Sequence, residues 1–411
     1  MLQSLARYRW VILGLAFISQ FSSTMAAQVI PPLAPLFQAE LGLTKTEVGF
    51  FSSATFIGTW VVLLGAGYVT DRFGIRITMS LGQITAGAIM LAMLFTGSFI
   101  QAAIVMFIVG VTRGSVLPGA TKAVMDWFSP TTRGTAMGIK QTGYPLAGIL
   151  TAATLPSLAL AVGWRYSFAV VGVLIIIAGV VTAILYRDPE HYEQSSARRP
   201  GLLEGMRELV RNPQMWVLGF MSILYVTGQL GVVTYLALYF TEVVLVPSIP
   251  DEATRIVTAG GYLAVFLAGG AIGRVFWGVI SDRFLHGKRM AMLVGIGYIS
   301  ALLSLVVGFV LPGGAQWLMA PVAFALGSTS TGWNGLYHAV VAETAGRKNA
   351  GMAVGFCMTM SEGGTVIGPI LFGILLDATG TYDSIWLCLF LLCAVGATIA
   401  SLNIKQESQA K

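Results

Sequence analysis

Twelve apolar runs dominate this chain, and each exceeds the roughly 20 residues that a helix needs to cross a hydrocarbon core. They cover about 10–36, 46–70, 77–97, 101–125, 134–160, 165–187, 213–240, 256–281, 289–312, 316–342, 350–376 and 382–404. In lipid every backbone polar group must be satisfied within the spanning structure, so runs of this length select α-helices. Charge supports the same conclusion. Only 10% of the 411 residues are charged and 56% are hydrophobic, against roughly 25% charged in an average soluble domain. Such a chain cannot cover its own surface in water, and a bilayer must solvate it. The expected fold is an all-α membrane protein with twelve transmembrane helices.

The distribution of Lys and Arg orients the spans. With the N-terminus placed in the cytoplasm, Lys45, Arg165 and Arg255 fall outside, and Arg113, Lys122, Lys140 and Arg274 fall within spans. All other Lys and Arg fall on cytoplasmic segments, so the positive-inside rule predicts that both termini are cytoplasmic. The net charge of +6 follows from this bias and implies no nucleic-acid partner. Cys357, Cys388 and Cys393 lie in the last two spans, with no metal-ligand spacing and no disulfide framework. The first run is too long for the apolar core of a signal peptide and is expected to remain as a spanning helix.

The longest polar stretch, 188–212, divides the runs six and six. It predicts an N-terminal bundle over 1–187, a cytoplasmic linker over 188–212 and a C-terminal bundle over 213–411. Within the linker, Leu202, Leu203, Met206, Leu209 and Val210 share one helical face, which predicts an amphipathic helix on the membrane surface. The halves echo each other. Gly67-Tyr-Val-Thr-Asp71-Arg72 recurs as Gly278-Val-Ile-Ser-Asp282-Arg283, 211 residues later. Gly134, Ala136 and Gly138 match Gly351, Ala353 and Gly355 at an offset of 217. Internal duplication of a membrane bundle is a mark of transporters. Small residues at these spacings let helices approach closely, and Pro31, Pro32, Pro35, Pro118, Pro145, Pro156 and Pro369 fall where they can bend spans.

A charge within a bilayer is costly and needs a physical reason. Arg274 lies eight residues before Asp282, roughly 12 Å from the cytoplasmic end of its helix. Its planar fork suits carboxylate, nitrate or phosphate; the alternative is an ion pair that stabilises the bundle. Arg113 lies near the middle of the fourth span, where it either binds substrate or couples to a nearby acid, or is purely structural. Lys140 shares a face with Gln141 and Tyr144, and is either an anion contact or a snorkelling side chain. Glu362 is the one carboxylate deep within a span. It is the leading proton-carrier candidate, against a permanent ion pair with Arg274 or Arg113. Ser330, Asn334 and Tyr337 share a face of the tenth span, and His338 is either a proton relay or a hydrogen-bonded structural group. Gln20, Thr24 and Gln28 follow at spacing four in the first span, and Tyr225 and Gln229 in the seventh.

The loop Gly67-x-x-x-Asp71-Arg72-x-Gly74-x-Arg76 resembles the signature between helices two and three of the major facilitator superfamily. The six-plus-six plan is similar over the whole chain. The resemblance implies that Asp71, Arg72, Arg76, Arg133, Asp282 and Arg283 contribute to closing the cytoplasmic side. The second copy departs, because Phe284-Leu-His286-Gly287-Lys288-Arg289 is longer than the usual Gly-x-Arg. Arg274-x-x-x-Gly278-x-x-Ser281-Asp282 is similar to helix eight of oxalate–formate antiporters and nitrate porters, where such an arginine contacts the anion; monocarboxylate transporters also use a helix-eight arginine. Leu63 occupies the matching place in helix two, which argues against the nitrate branch. Arg113 resembles the helix-four arginine of the anion–cation symporters. In this superfamily helices one, four, seven and ten line the cavity, which implies a polar lining that includes Gln28, Tyr225, Asn334 and Tyr337.

These features lead to the expectation of a secondary active transporter for a small organic anion. Arg274 grips the anion with help from Arg113 or Lys140, Tyr144 is a further substrate-binding candidate, Glu362 is the leading proton-coupling site and His338 a second coupling candidate. The expected partners are the anion, protons or a counter-anion, and the lipid bilayer, with no cofactor, a monomeric state and a bacterial inner (plasma) membrane location. Exchange of two anions and proton-driven drug export are the rivals, with a channel or a sensor as a further class. No enzymatic constellation and no phosphate-binding loop for ATP is seen.

Overall fold

The computed structural model describes residues 2–187, 202–285, 288–313 and 316–409. Regular structure among them is helical throughout, with no strand. The helices are α1 (Leu2–Gln28), α2 (Ile30–Leu41), α3 (Lys45–Phe73), α4 (Ile75–Met90), α5 (Phe99–Trp127), α6 (Pro130–Val162), α7 (Trp164–Leu185), α8 (Leu202–Arg211), α9 (Pro213–Tyr239), α10 (Glu252–Arg283), α11 (Arg289–Leu305), α12 (Met319–Ser330), α13 (Asn334–Thr379) and α14 (Asp383–Gln409). Contacts gather into two compact units, Met1–Glu193 with Ile256–Ala264, and Gln194–Arg255 with Val265–Lys411.

Helix starts follow from local chemistry. Thr44 and Glu47 form a reciprocal capping box at α3, with bonds of 3.2 and 2.9 Å. Ser98 and Asp251 cap α5 and α10 through their side-chain oxygens. Gly42 ends α2 in the left-handed region, at φ 63°, where a Cβ is unfavourable. Proline marks the junction of α1 and α2: Pro31 and Pro32 follow Ile30 in the first turn of α2, and α1 and α2 read together as one span, Tyr8–Leu41.

Ten helical stretches among the described residues are long and apolar enough to cross a membrane. The second expected span is present as α3, although the side chains of Leu63, Leu64, Gly67 and Asp71 lie outside the described residues. The tenth expected span is divided. α12 stops at Ser330, turns occupy 331–333, and α13 begins at Asn334. The 46 residues of α13 then double back. Tyr337 Oη donates to the Leu218 carbonyl at 3.2 Å, and Ser361 Oγ donates to Ser222 Oγ at 2.8 Å. On a straight helix Tyr337 and Ser361 would stand roughly 36 Å apart, yet both meet a single turn of α9. The reversal therefore falls within 338–360, between the spans expected at 316–342 and 350–376.

The duplication extends to packing. In the first unit α3 and α5 touch backbone to backbone. A Cβ on Gly58 would overlap the Phe107 carbonyl, and one on Gly110 would overlap that of Thr55. In the second unit α10 and α12 repeat the arrangement: Gly269 lies against the Phe324 carbonyl and Gly327 against that of Phe266. Gly58 and Gly269 differ by 211 and Gly110 and Gly327 by 217, the same offsets as the repeated loop and span opening. A third pair exchanges its members, since Gly114 packs on Thr59 whereas Gly270 packs on Thr331. Space at these crossings is conserved between the halves even where the glycine changes helix.

α8 is tied to the start of α9. Leu209 is buried, and Trp216 Nε1 donates to the Val210 carbonyl at 2.8 Å, satisfying an acceptor at the end of α8. The side chains of Leu202, Leu203 and Met206, on the expected apolar face, lie outside the described residues.

Candidate functional site

The α3–α5 crossing brings Thr59 within reach of Arg113. Arg113 is 5% exposed; its Nε donates to the Ser23 carbonyl at 2.7 Å and its Nη1 to Thr59 Oγ1 at 2.9 Å. Thr59 in turn donates to the carbonyl of Thr55 at 2.9 Å or of Gly110 at 3.2 Å. The guanidinium is thus oriented by α1 and α3 together. Phe56 lies 5.9 Å below it, within cation–π range.

Lys140 is the more unusual cation. It is 3% exposed and donates to Thr121 Oγ1 at 2.8 Å. Among the described residues no carboxylate pairs with it. An ammonium has three hydrogens to place, and burying it against one hydroxyl is costly unless something else compensates. On the same helix Tyr144 accepts a long bond from Gln28 Nε2 at 3.4 Å. Gly143 makes this approach possible: a Cβ there would already lie 3.1 Å from the Phe17 carbonyl of α1.

The second unit builds its polar cluster around the interruption at 331–333. Trp333 Nε1 and Asn334 Nδ2 both donate to Gln229 Oε1, each at 3.2 Å. Asn334 also donates to the Thr331 carbonyl at 3.0 Å. Arg274 leaves α10 next to this segment, where Gly273 lies against Ser328 and Gly332, and Trp277 Nε1 donates to the Ser328 carbonyl at 2.7 Å. Gly335 lies beside Arg274, where an added Cβ would stand 3.5 Å from the Arg274 carbonyl oxygen, and the His338 ring lies 5.8 Å from that of Tyr337. Arg274 and Asn334 are therefore neighbours.

Tyr225 and Tyr337 are turned into the second unit. Tyr225 Oη donates to the Leu293 carbonyl at 3.3 Å, and its ring meets Trp333 edge-on at 5.3 Å. Tyr225 and Trp333 also line a small cavity with Gly297, Ser300, Thr329, Ser330 and Cys393. The Tyr337 hydroxyl donates to Leu218, with Ser222, Cys357 and Ser361 around it. Glu362 follows Ser361 and is partly exposed; Thr365 Oγ1 donates to its Oε2 at 3.2 Å.

At the loops, Asp282 pairs with Arg289 at 3.1 Å, and Arg289 also pairs with Glu343. One arginine thereby links the end of α10, the start of α11 and α13. Arg283 is exposed. In the first unit Arg72 Nη1 donates to Tyr68 Oη at 3.2 Å, and Arg76 Nε donates to the Ala183 carbonyl at 2.8 Å near the C-terminus of α7, where a cation is favoured. The side chains of Asp71 and Arg133 lie outside the described residues.

Sequence reasoning gave Thr59, Thr121 and Glu343 no role, and no local pattern marks them, because each matters only through a neighbour distant in sequence. It also passed over a clasp in the first unit. Glu40 accepts from Trp164 Nε1 at 2.6 Å and pairs with Arg165, whose Nε donates to the Thr96 carbonyl at 2.9 Å.

Comparison with known proteins agrees with this architecture. The hexuronate transporter of Bacillus subtilis is 26% identical over 386 residues, covering 90% of this chain and 88% of that protein. The probable sulfoacetate transporter SauU of Cupriavidus necator is 27% identical over 424 residues, covering 96% and 94%. Both names describe transporters rather than enzymes. A bacterial homologue of the human lysosomal transporter Spinster, solved inward-facing and occupied, superposes with a TM-score of 0.78 at 17% identity, covering 97% of each chain. The family model of the Major Facilitator Superfamily matches residues 16–343 and 258–406. With its apolar helices, this match makes the chain an integral, multi-pass membrane protein that belongs to the Major Facilitator Superfamily.

Proposed function

We propose that the protein is a secondary active transporter that moves a small organic anion of the carboxylate type by alternating access, in symport with protons. The observation that carries this reading is Lys140, an ammonium 3% exposed, bonded to a hydroxyl and paired with no carboxylate among the described residues. An anionic ligand would supply the missing counter-charge. Arg113 and Arg274 add two planar forks suited to carboxylates. Tyr144, Gln28 and Asn334 provide polar lining, and Tyr225 and Tyr337, buried with their hydroxyls on backbone carbonyls, support it from within the second unit. The relatives' names, hexuronate and sulfoacetate, are both small organic anions.

Glu362 is the proposed coupling acid, and His338 the proposed relay. Asp71, Arg72, Arg76, Arg133, Asp282 and Arg283 are the proposed cytoplasmic gate, with the Arg289 bridge to Asp282 and Glu343 as its ordered part in the second unit. Exchange of two anions would use the same cations and dispense with Glu362. Drug export is disfavoured, because buried cations repel lipophilic cations. The test is a thermal-shift screen of purified protein against organic anions and lipophilic cations. A ligand of the folded state raises the melting temperature, so stabilisation by carboxylates is expected. Stabilisation by cations alone would overturn the reading.

A further inference from the structure

The polar groups at the α12–α13 interruption fix one another's orientation. The Trp333 indole N–H only donates. It meets Gln229 Oε1 at 3.2 Å and the Ser330 carbonyl at 3.1 Å, so the Gln229 atom facing it is the oxygen. Asn334 Nδ2 gives one hydrogen to the Thr331 carbonyl at 3.0 Å and the other to the same Gln229 oxygen at 3.2 Å. Turning either amide would set donor against donor or oxygen against oxygen. Two groups are left over: the Gln229 amide nitrogen, with two hydrogens, and the Asn334 amide oxygen, with its lone pairs. Among the described residues nothing meets either one. Gln229 is 7% exposed, and its Nε2 is not among the sealed-in polar atoms that lack a partner, so the small exposed area includes this nitrogen.

We infer that Gln229 and Asn334 form an oriented pair that reads a hydroxyl group, and that the anion is a hydroxylated carboxylate such as a hydroxy acid or sugar acid. The inference rests on the organic-anion reading above and narrows it. A donor beside an acceptor matches a hydroxyl, which gives one hydrogen and accepts at its oxygen. It matches neither a second carboxylate, which only accepts, nor an alkyl group, which would leave both amides desolvated and unpaired. Arg274 stands within reach for the carboxylate. A methyl group built on Gly335 would lie 3.5 Å from the Arg274 carbonyl oxygen and 3.9 Å from its Cβ. Gly335 directly follows Asn334, so the Arg274 backbone lies within one helical turn of the amide pair. One helical turn is about 5.4 Å, a separation that a few carbon atoms span.

The experiment measures binding to the purified full-length protein for two matched pairs, gluconate against hexanoate and lactate against propionate. Each pair shares a carbon skeleton and a carboxylate and differs in hydroxyls. Wild type is expected to prefer a hydroxylated member by at least about tenfold, because its partner leaves buried polar groups unpaired. Gln229→Met should bring that ratio close to one with little change for the alkyl acid. Gln229→Glu keeps an oxygen for Trp333 and Asn334 but replaces the amide nitrogen, so it should stay folded and also lose the preference. Arg274→Lys should weaken both members of a pair equally. Parallel losses for both members in the Gln229 variants would mean a purely structural role and overturn the proposal. Equal binding of both members by wild type would overturn it while leaving the organic-anion reading intact. Binding of none of the four, with stabilisation by lipophilic cations, would overturn both.

Discussion

At the residue scale, an arginine and a lysine with the same charge do different work. Lysine in place of Arg274 keeps the charge and loses the fork that engages both oxygens of a carboxylate. Losing one charge-assisted bond of about 1.5–3 kcal/mol corresponds to weakening of roughly tenfold or more. Arg274→Lys is therefore expected to weaken anion affinity by about that factor, measured in detergent, and unchanged affinity would remove Arg274 from the binding site. Glu362→Gln mimics the protonated acid and cannot release a proton. Counterflow, which needs no net driving force, should survive better than uphill accumulation. Accumulation like wild type would exclude Glu362 as the coupling group, and loss of counterflow in a folded protein would favour a structural role. The types of these residues were legible in the sequence, because any charge within an apolar run stands out. Their partners were not. Thr59 meets Arg113 from 54 positions away and Thr121 meets Lys140 from 19, and in each pair the partners stand on different helices, so no periodicity within one helix marks them.

At the element scale, the glycine crossings govern whether each unit packs. A Cβ on Gly110 would overlap the Thr55 carbonyl, and backbone cannot yield as a flexible side chain does. Gly110→Ala is expected to destabilise by about 1–3 kcal/mol or more through overpacking, read as a lower melting temperature. Gly65→Ala is the control, since nothing lies within 4 Å of its Cβ position. Helix starts offer a second test. Asp251 accepts from the Thr254 backbone N–H at 2.8 Å and from the Thr254 hydroxyl at 2.5 Å. The Thr254 hydroxyl, followed by its backbone N–H, holds the Asp251 carboxyl below the usual aspartate range. A lowered folded value means that the cap stabilises above the unfolded pKa, about 3.9, and is lost as pH falls through the folded value. Asp251→Ala should thus melt below wild type at pH 7, with the gap closing under strong acid. Asp251→Asn, which retains a capping oxygen, should differ little. The apolar runs made most elements legible in advance. The interruption at 331–333 was not, because Thr331-Gly332-Trp333-Asn334 contains no proline, and it is held by Gln229 from another helix. The linker helix was visible as a pattern, but its attachment through Trp216 and Val210 was not.

At the scale of the whole molecule, duplication supplied a scaffold whose two halves then diverged in charge. The crossing glycines repeat at 211 and 217, yet the position matching Arg274 is Leu63, and the position matching Arg113 is Ser330. Each half thus places its cations at positions of its own, which shared ancestry of the packing does not require. Within the spans, the deep charges are Arg113 and Lys140 in the first unit and Arg274 and Glu362 in the second, with Lys122 nearer the end of α5. The set sums to about +2 with Glu362 ionised and about +3 with it protonated, taking the cations as charged. A low-dielectric interior magnifies that field, so it attracts anions and repels lipophilic cations. Protonating Glu362 strengthens the attraction, which is the sign required for proton–anion symport and opposite to that for drug–proton antiport. In proteoliposomes, an imposed inward proton gradient should therefore accelerate carboxylate uptake, and Glu362→Gln should abolish the acceleration. Transport of lipophilic cations without anions would overturn the assignment of substrate class. Exchange of two anions at a rate indifferent to the gradient would keep that class and leave Glu362 with a structural role.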